Sequence, residues 1–303
     1  MSETTLVAGQ LFNGISVASI LLLAALGLAL SFGLMRVINM AHGEMLMMGG
    51  YLTYLSIAVF GKGAGFAVGL VVAFVGTALF GALLEITLIR RLYGRPLDTL
   101  LATWGVSLIL QQAARSIFGP IGVEVTAPPW LSGTLSLGGT VMTGFSIPGV
   151  RAFIIVLAAV VLGAVALIIA RTRLGLLIRA VHENRPIADA LGANTRLVDL
   201  AVFALGTGVA GLAGSALSLI APVTPTVGQS YIVYAFLVVI VGGLGSLTGT
   251  LVAALLIGVF SATAQIATSQ SFSDVLLLLC VIIFMQFRPR GIVSQGSRAL
   301  EET

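Results

Sequence analysis

The sequence predicts an all-α protein, a polytopic bundle of about eight to ten transmembrane helices. Hydrophobic residues make up 58% of its 303 residues and charged residues only 9%, and the mean hydropathy is +1.12. A soluble globular domain is about 45–50% apolar and about 25% charged. Because one crossing needs about 20 apolar residues, this length allows about eight to ten spans. It leaves no stretch for a separate soluble domain, so residues 1–303 are expected to form one membrane domain.

Apolar runs follow one another along the chain, separated by short polar stretches. Taken in order, the nine predicted spans are residues 11–35, 45–60, 66–89, 99–118, 151–170, 197–221, 231–241, 250–268 and 275–287. The polar stretches VINMAHGE (37–44) and GGLGSLTG (242–249) are either simple turns or re-entrant segments. The stretch 119–150 is rich in Pro, Gly, Ser and Thr, which predicts a structured loop with short strands or re-entrant turns.

Basic residues predict the orientation of the spans, because Lys and Arg concentrate in cytoplasmic loops. If the stretch 171–196 lies in the cytoplasm and the spans alternate, only Lys62, Arg115 and Arg151 fall outside or near the outer face. The residues that then fall inside are Arg36, Arg90, Arg91, Arg95, Arg171, Arg173, Arg179, Arg185, Arg196, Arg288, Arg290 and Arg298. This distribution predicts an external N-terminus and a cytoplasmic C-terminus. It also explains the basic isoelectric point without a nucleic-acid partner.

The most charged stretch is RTRLGLLIRAVHENRPIADALGANTR (171–196), between the fifth and sixth predicted spans. Asn184 is placed to cap a short helix, Pro186 suits its first turn, and Gly192 suits its end. One interpretation is a cytoplasmic loop that only fixes topology. The other is a docking element for a soluble motor. The candidate contact residues for a motor are Arg179, His182, Glu183, Arg185, Asp189, Ala190 and Gly192.

Residue patterns typical of enzymes are missing from the sequence. There is no GxxxxGK[ST] loop for phosphates and no HExxH pair. One cysteine, Cys280, and two histidines favour neither a disulfide nor a metal site. The chain is therefore expected to be no enzyme and to bind no metal or cofactor. Ionisable groups within the spans are few, so the chain is either a passive channel or is driven by an external motor.

Polar side chains within the spans are candidates for a solute path. They are Asn39, His42, Glu44, Thr103, Trp104, Ser107, Gln111, Gln112, Gln229 and Tyr231. Gln111 and Gln112 lie inside an apolar run, so each is expected to face protein or water. The alternatives are hydrogen bonds between helices for the glutamines and an interface anchor for Trp104. For His42 and Glu44 the alternative is a cap or a structural pair at the cytoplasmic membrane face.

Three stretches resemble one family of membrane proteins. They are GLALSFGLMRVINMAHGEMLMMGGYL (27–52), RAVHENRPIADALGANTRLVDLAVFALGTGVAGLAG (179–214) and YIVYAFLVVIVGGLGSLTGTLVAALLIG (231–258). They resemble permeases of ABC importers of the branched-chain amino acid type, and ADALG (188–192) stands where such permeases carry an EAA-like loop. The resemblance covers nearly the whole chain and implies a cytoplasmic coupling helix within 171–196.

Two further stretches, YGRPLDTLLATWGVSLILQQAARSIFG (93–119) and VEVTAPPWLSG (123–133), resemble the urea-transport subgroup of that family. This resemblance implies urea as the substrate. The alternatives are branched-chain or other amino acids and, in a different class, a passive urea or solute channel.

The family resemblance implies a heteromeric importer of the bacterial inner membrane. This chain would form half of the path with a second homologous permease. Two cytoplasmic ATPase subunits would bind the ATP, and a periplasmic or extracellular binding protein would deliver the solute.

Overall fold

The computed structural model describes residues 3–35, 37–136 and 146–293 of the chain. Arg36 and Arg298 lie outside the described residues. The helices are α1 (Glu3–Met35), α2 (His42–Phe60), α3 (Ala64–Thr87), α4 (Pro96–Phe118), α5 (Gly149–Arg171), α6 (Arg173–Glu183), α7 (Arg185–Ala190), α8 (Thr195–Leu217), α9 (Val227–Gly242), α10 (Leu247–Ala267) and α11 (Gln270–Phe287). The predicted all-α class is confirmed. Within the predicted loop, β1 (Thr134–Ser136) pairs antiparallel with β2 (Ser146–Pro148).

Nine long helices correspond to the nine predicted runs. Among the described residues, seven of them are long and apolar enough to cross a membrane, namely α1, α2, α3, α5, α8, α10 and α11. Helix α9 is apolar but has only 16 residues, and α4 has 23 residues but is less apolar. The chain is thus a multi-pass membrane protein. Most of α1 and α8 is buried, whereas little of α5 and α11 is, so α1 and α8 form the centre of the bundle.

Small residues allow the central helices to pack closely. A Cβ built on Gly27 of α1 would lie 2.1 Å from the carbonyl oxygen of Gly206 in α8. One built on Gly49 of α2 would lie 2.1 Å from the carbonyl oxygen of Gly211 in α8. In lipid, close backbone contact of this kind replaces the hydrophobic effect as the source of helix association.

The end of the bundle that carries α6 and α7, here called the basic end, also holds the end of α1 and the α9–α10 turn. The Nδ1 of His182 in α6 lies 2.9 Å from the carbonyl oxygen of Gly33. A Cβ built on Gly33 would lie 2.5 Å from the Cα of Gly245. The stretch GGLGSLTG (242–249) is therefore a simple turn at this end, and the re-entrant alternative for it is wrong. Its glycines pack against the ends of neighbouring helices instead of entering the bundle.

The other glycine-bearing stretch, VINMAHGE (37–44), does turn back into the bundle. The ring of His42, the first residue of α2, donates from Nε2 to the carbonyl oxygen of Ala24 at 3.1 Å. Ala24 lies about eleven residues before the end of α1, which is roughly 16 Å of helix. Helix α2 therefore begins in the interior. His42 does not lie at the membrane face, where the alternative interpretation placed it.

Helix α9 also begins in the interior and meets α2 head to head. A Cβ built on Gly43 would lie 2.2 Å from the carbonyl oxygen of Gly228, the second residue of α9. From this point α2 runs to the end of the bundle opposite the basic end, where Gly65 of α3 packs on Ile57. Helix α9 runs to the basic end. Interrupted helices of this kind mark the substrate region in transporters that are built from inverted repeats.

Candidate functional site

A cluster of polar side chains lies between the start of α2 and the buried face of α4. Its members are Asn39, Glu44, Thr103, Ser107 and Gln111, each of which is at most 5% exposed. Thr103, Ser107 and Gln111 share one face of α4 because residues four apart in a helix lie one above the other. This set is here called the Glu44 cluster.

Glu44 is the centre of the cluster. Its Oε1 accepts hydrogen bonds from Ser107 Oγ at 2.9 Å and from Gln111 Nε2 at 2.8 Å. Gln111 Nε2 also donates to Ser107 Oγ at 3.1 Å. The second oxygen, Oε2, is buried and has no hydrogen-bond partner among the described residues. A buried carboxylate oxygen without a donor is costly, which points to a solute or water that donates to it.

The re-entrant stretch before α2 is held by two other members of the cluster. Thr103 Oγ1 accepts from the backbone N–H of Met40 at 3.0 Å, and Asn39 Oδ1 accepts from the N–H of Ala41 at 3.0 Å. The Nδ2 of Asn39 is buried without a partner among the described residues. The cluster thus contains an unpaired acceptor on Glu44 and an unpaired donor on Asn39.

The remaining candidates from the sequence do not join the cluster. Trp104 and Gln112 are exposed on the far face of α4, because consecutive residues of a helix point in different directions. His42 points to α1, and Tyr231 of α9 lines a narrow apolar crevice with it. Gln229 is exposed at the start of α9.

The charged stretch 171–196 folds as the sequence predicts. Asn184 ends α6 and caps α7, because its Oδ1 accepts from the N–H of Ile187 at 3.1 Å. Gly192 ends α7 with a φ of 87°, and the N–H of Ala193 reaches back to the carbonyl oxygen of Ala188 at 3.0 Å. Only a residue that tolerates positive φ fits this helix end.

The candidate contact residues of this stretch have different surroundings. Glu183, Asp189, Ala190 and Gly192 are exposed, and Asp189 accepts from Thr195 Oγ1 at 3.3 Å. Arg179 and His182 are also exposed at the basic end and line an open cavity of about 420 Å³ beside the start of α10. Arg185 differs from the others, because it pairs with a buried carboxylate.

That carboxylate belongs to a network that the sequence did not reveal, here called the basic-end network: Glu85, Arg90, Tyr93, Arg185 and Asp199. Arg185 donates from both terminal nitrogens to the two oxygens of Asp199 in α8. Arg90 donates from Nε and Nη2 to the two oxygens of Glu85, at 3.1 and 2.8 Å. Glu85 and Asp199 are fully buried.

Tyr93 stands between the two ion pairs. Its hydroxyl donates to Glu85 Oε1 at 3.0 Å, and the guanidinium of Arg185 lies 5.5 Å from the centre of its ring. Burial raises the pKa of the Tyr93 phenol, and the charges of Asp199 and Glu85 act in the same direction. The phenol therefore stays protonated and serves as a donor. In the sequence Glu85 stands five residues before Arg90, but nothing in it singled out Asp199.

Comparison with known proteins gives one consistent set of relatives. The high-affinity branched-chain amino acid transport system permease protein BraD of Pseudomonas aeruginosa is 30% identical over 298 residues, covering 94% of this chain and 95% of BraD. The permease protein LivH of the corresponding Escherichia coli K12 system is 28% identical over 294 residues, covering 94% and 95%. A probable LivH of Methanocaldococcus jannaschii is 26% identical over 298 residues, covering 94% and 91%. No solved structure matches the chain.

These similarities support the amino-acid alternative better than urea, for which they offer no support. Residues 10–285 match the family described as branched-chain amino acid transport system / permease component. The match extends from the first span to the last one, and the re-entrant α2, the Glu44 cluster and the 171–196 stretch all lie inside it. The chain belongs to this family of transport permeases.

Proposed function

We propose that this chain is a permease subunit of an ATP-driven importer, and that it forms half of the path for a branched-chain amino acid. The observation that carries the proposal is the similarity to branched-chain amino acid permeases along almost the whole chain. A second permease would complete the path, two ATPase subunits would drive it, and a binding protein would deliver the solute. Residues 1–303 would act as a single permease domain, with its N-terminus outside and its C-terminus in the cytoplasm of a bacterial inner membrane.

Helix α4 is the proposed wall of the path. Its far face carries Gln112, Arg115 and Ser116, all exposed in a helix of membrane-spanning length. Polar groups that face hydrocarbon are strongly disfavoured, so such a face belongs against protein or a water-filled cavity. The second permease is proposed to lie on this side of α4, while the path runs along the opposite, buried face of α4, at the Glu44 cluster.

The chemistry of the interior suits a zwitterion. The unpaired Oε2 of Glu44 can accept from an ammonium group, and the unpaired Nδ2 of Asn39 can donate to a carboxylate. The N-termini of α2 and α9 meet nearby and add partial positive charge. A free amino acid carries both groups on its α-carbon, which supports an amino acid as the substrate.

Helix α7 is the proposed contact for an ATPase subunit. Ile187 and Leu191 are 57% and 83% exposed at the basic end, beside the charged residues of the same stretch. Large apolar side chains that project from a polar segment mark a protein contact surface. A short helix with exposed anchors fits a groove on a partner.

Urea is the second candidate substrate, and one observation favours it. The stretch 93–119, which resembles urea-transport permeases, includes α4 and therefore supplies Thr103, Ser107 and Gln111 to the cluster. Urea has N–H donors and a carbonyl acceptor, so it can satisfy Glu44 Oε2 and Asn39 Nδ2 as well.

Uptake by the assembled complex separates the two substrates. Proteoliposomes that contain this chain with its partner permease, ATPases and binding protein would be offered labelled leucine and labelled urea in parallel. The proposal expects ATP-dependent uptake of leucine that excess unlabelled leucine inhibits and excess urea does not. Uptake of urea without leucine would contradict the amino-acid assignment.

A further inference from the structure

We propose that Arg185 links α7 mechanically to α4, so that a movement of α7 reaches the Glu44 cluster through the basic-end network. The inference rests on the proposed role of α7 as the ATPase contact. It assigns Arg185 an inward role, whereas the sequence placed it with the residues that face the motor. Arg185 is thus a positioning residue, and Asp199 and Tyr93 are the groups that it acts on.

Helix α7 has few other attachments to the bundle. Only Ala188 is buried among its six residues, all of which the structure describes. Arg185, its first residue, holds Asp199 with two parallel hydrogen bonds, and Asp199 is fully buried in α8. Paired bonds between a guanidinium and a carboxylate fix direction as well as distance. A displacement of α7 therefore exerts a force on α8 through this ion pair.

The same guanidinium contacts the turn that leads into α4. It lies over the ring of Tyr93, 5.5 Å from the ring centre, and the Tyr93 hydroxyl is bonded to Glu85 at the end of α3. Arg90, in the turn after α3, also donates two hydrogen bonds to Glu85. Both buried carboxylates, Glu85 and Asp199, are already held by arginine side chains. A movement of Arg185 that displaces Tyr93 therefore also displaces the turn between α3 and α4.

Helix α4 begins three residues after Tyr93, at Pro96. Glycines with positive φ flank it, Gly94 at 82° and Gly119 at 85°, and both lie in open space. Within the described part of the chain, α4 packs through one face, which holds Glu44 through Ser107 and Gln111. A displacement of the turn at Tyr93 therefore shifts the side chains that close over Glu44.

Conservative variants test the link. Arg185→Lys keeps the charge but loses the paired bonds and the guanidinium that lies over the Tyr93 ring. Tyr93→Phe keeps the ring and removes the bond to Glu85, and Tyr93→Leu removes both. The control is Arg196→Lys, the same change at an exposed arginine of α8, one helical turn before Asp199. All variants would be made in the full complex, and co-purification of the ATPase subunits would be measured for each.

The first readout is the number of solute molecules imported per ATP hydrolysed. Arg185→Lys and Tyr93→Leu should lower this ratio about tenfold, within the usual range of coupling between sites. ATP hydrolysis and subunit content should stay near those of the unaltered complex, and Arg196→Lys should change nothing. Tyr93→Phe should have an intermediate effect. If uptake and hydrolysis fell in proportion, the network would only hold the fold together, and the inference would be overturned.

The second readout does not depend on the identity of the solute. In a Cys280→Ser background, an Ala114→Cys change places a thiol on the buried face of α4. Labelling of this thiol should change during ATP hydrolysis in the otherwise unaltered complex and should no longer change with Arg185→Lys. If the change persisted with Arg185→Lys, the link would be wrong even if leucine transport were confirmed. If leucine transport failed and the labelling behaved as expected, the substrate assignment alone would fall.

Discussion

At the scale of single residues, one oxygen of Glu44 accepts two hydrogen bonds, and the other accepts none from the residues that the structure describes. A carboxylate buried in a membrane helix is expensive. If its only role were to pin α4, a neutral side chain with one acceptor would serve. The unpaired oxygen is what distinguishes a solute contact from a structural bond between helices.

Glu44→Gln should therefore impair transport more than folding. The amide oxygen can still accept from Ser107 and Gln111, while an N–H group replaces Oε2 and cannot bind a donor. Uptake should fall about tenfold or more, as expected for the loss of a hydrogen bond to a charged group. Subunit assembly should not change. The control is Glu124→Gln, the same substitution at an exposed glutamate before the β1 strand. Equal uptake by both variants would show that Glu44 does not contact the solute.

The neighbouring glutamines show how far the sequence determines such a site. It predicts that both Gln111 and Gln112 face protein or water, and the structure places Gln111 on Glu44 and Gln112 on the exposed face. Helix periodicity separates the two residues, but which face packs inward depends on the position of α2. Asp199 was missed for a similar reason, since its partner Arg185 becomes a neighbour only in the folded chain.

At the scale of elements, the contact between α2 and α9 leaves no space for a side chain. Gly43→Ala should destabilise the protein by about 1–3 kcal/mol, as other overpacking substitutions do, because the new methyl group would lie 2.2 Å from the carbonyl oxygen of Gly228. The measurement is thermal unfolding of the purified complex in detergent. Gly163→Ala in α5 is the control, because a Cβ there meets nothing within 4 Å. Equal melting temperatures would contradict the head-to-head packing.

Helix α7 gives a second prediction at this scale. Ile187→Ser combined with Leu191→Ser should weaken ATPase binding about tenfold or more, because burial of each side chain contributes about 1.5–3 kcal/mol. Both residues are exposed in this chain, so its own thermal stability should not change. The measurement is the amount of ATPase subunit that co-purifies. Leu176→Ser, at a 62% exposed leucine of α6, is the control. Undiminished binding in the double variant would place the contact elsewhere.

At the scale of the whole molecule, the order of the spans and the loop strands follow from hydrophobic runs and turn residues. The depth at which α2 and α9 begin does not follow from them. His42 and Gly228 lie in the interior because the chain turns back before each helix, and this depends on contacts with Ala24 and Gly43. The sequence allowed re-entrance at 37–44 and 242–249, and the structure shows it for the first stretch only.

In the proposed importer an external motor opens the path, and a passive channel is the main competing interpretation. The decisive measurement is accumulation of labelled leucine in sealed vesicles that carry the complete complex, with the binding protein on the outer face and ATP inside. For an ATP-driven importer the internal leucine concentration should rise above the external one with ATP, and no accumulation should occur with a non-hydrolysable analogue. Leucine that merely equilibrates across the membrane, equally fast with and without ATP, would contradict it.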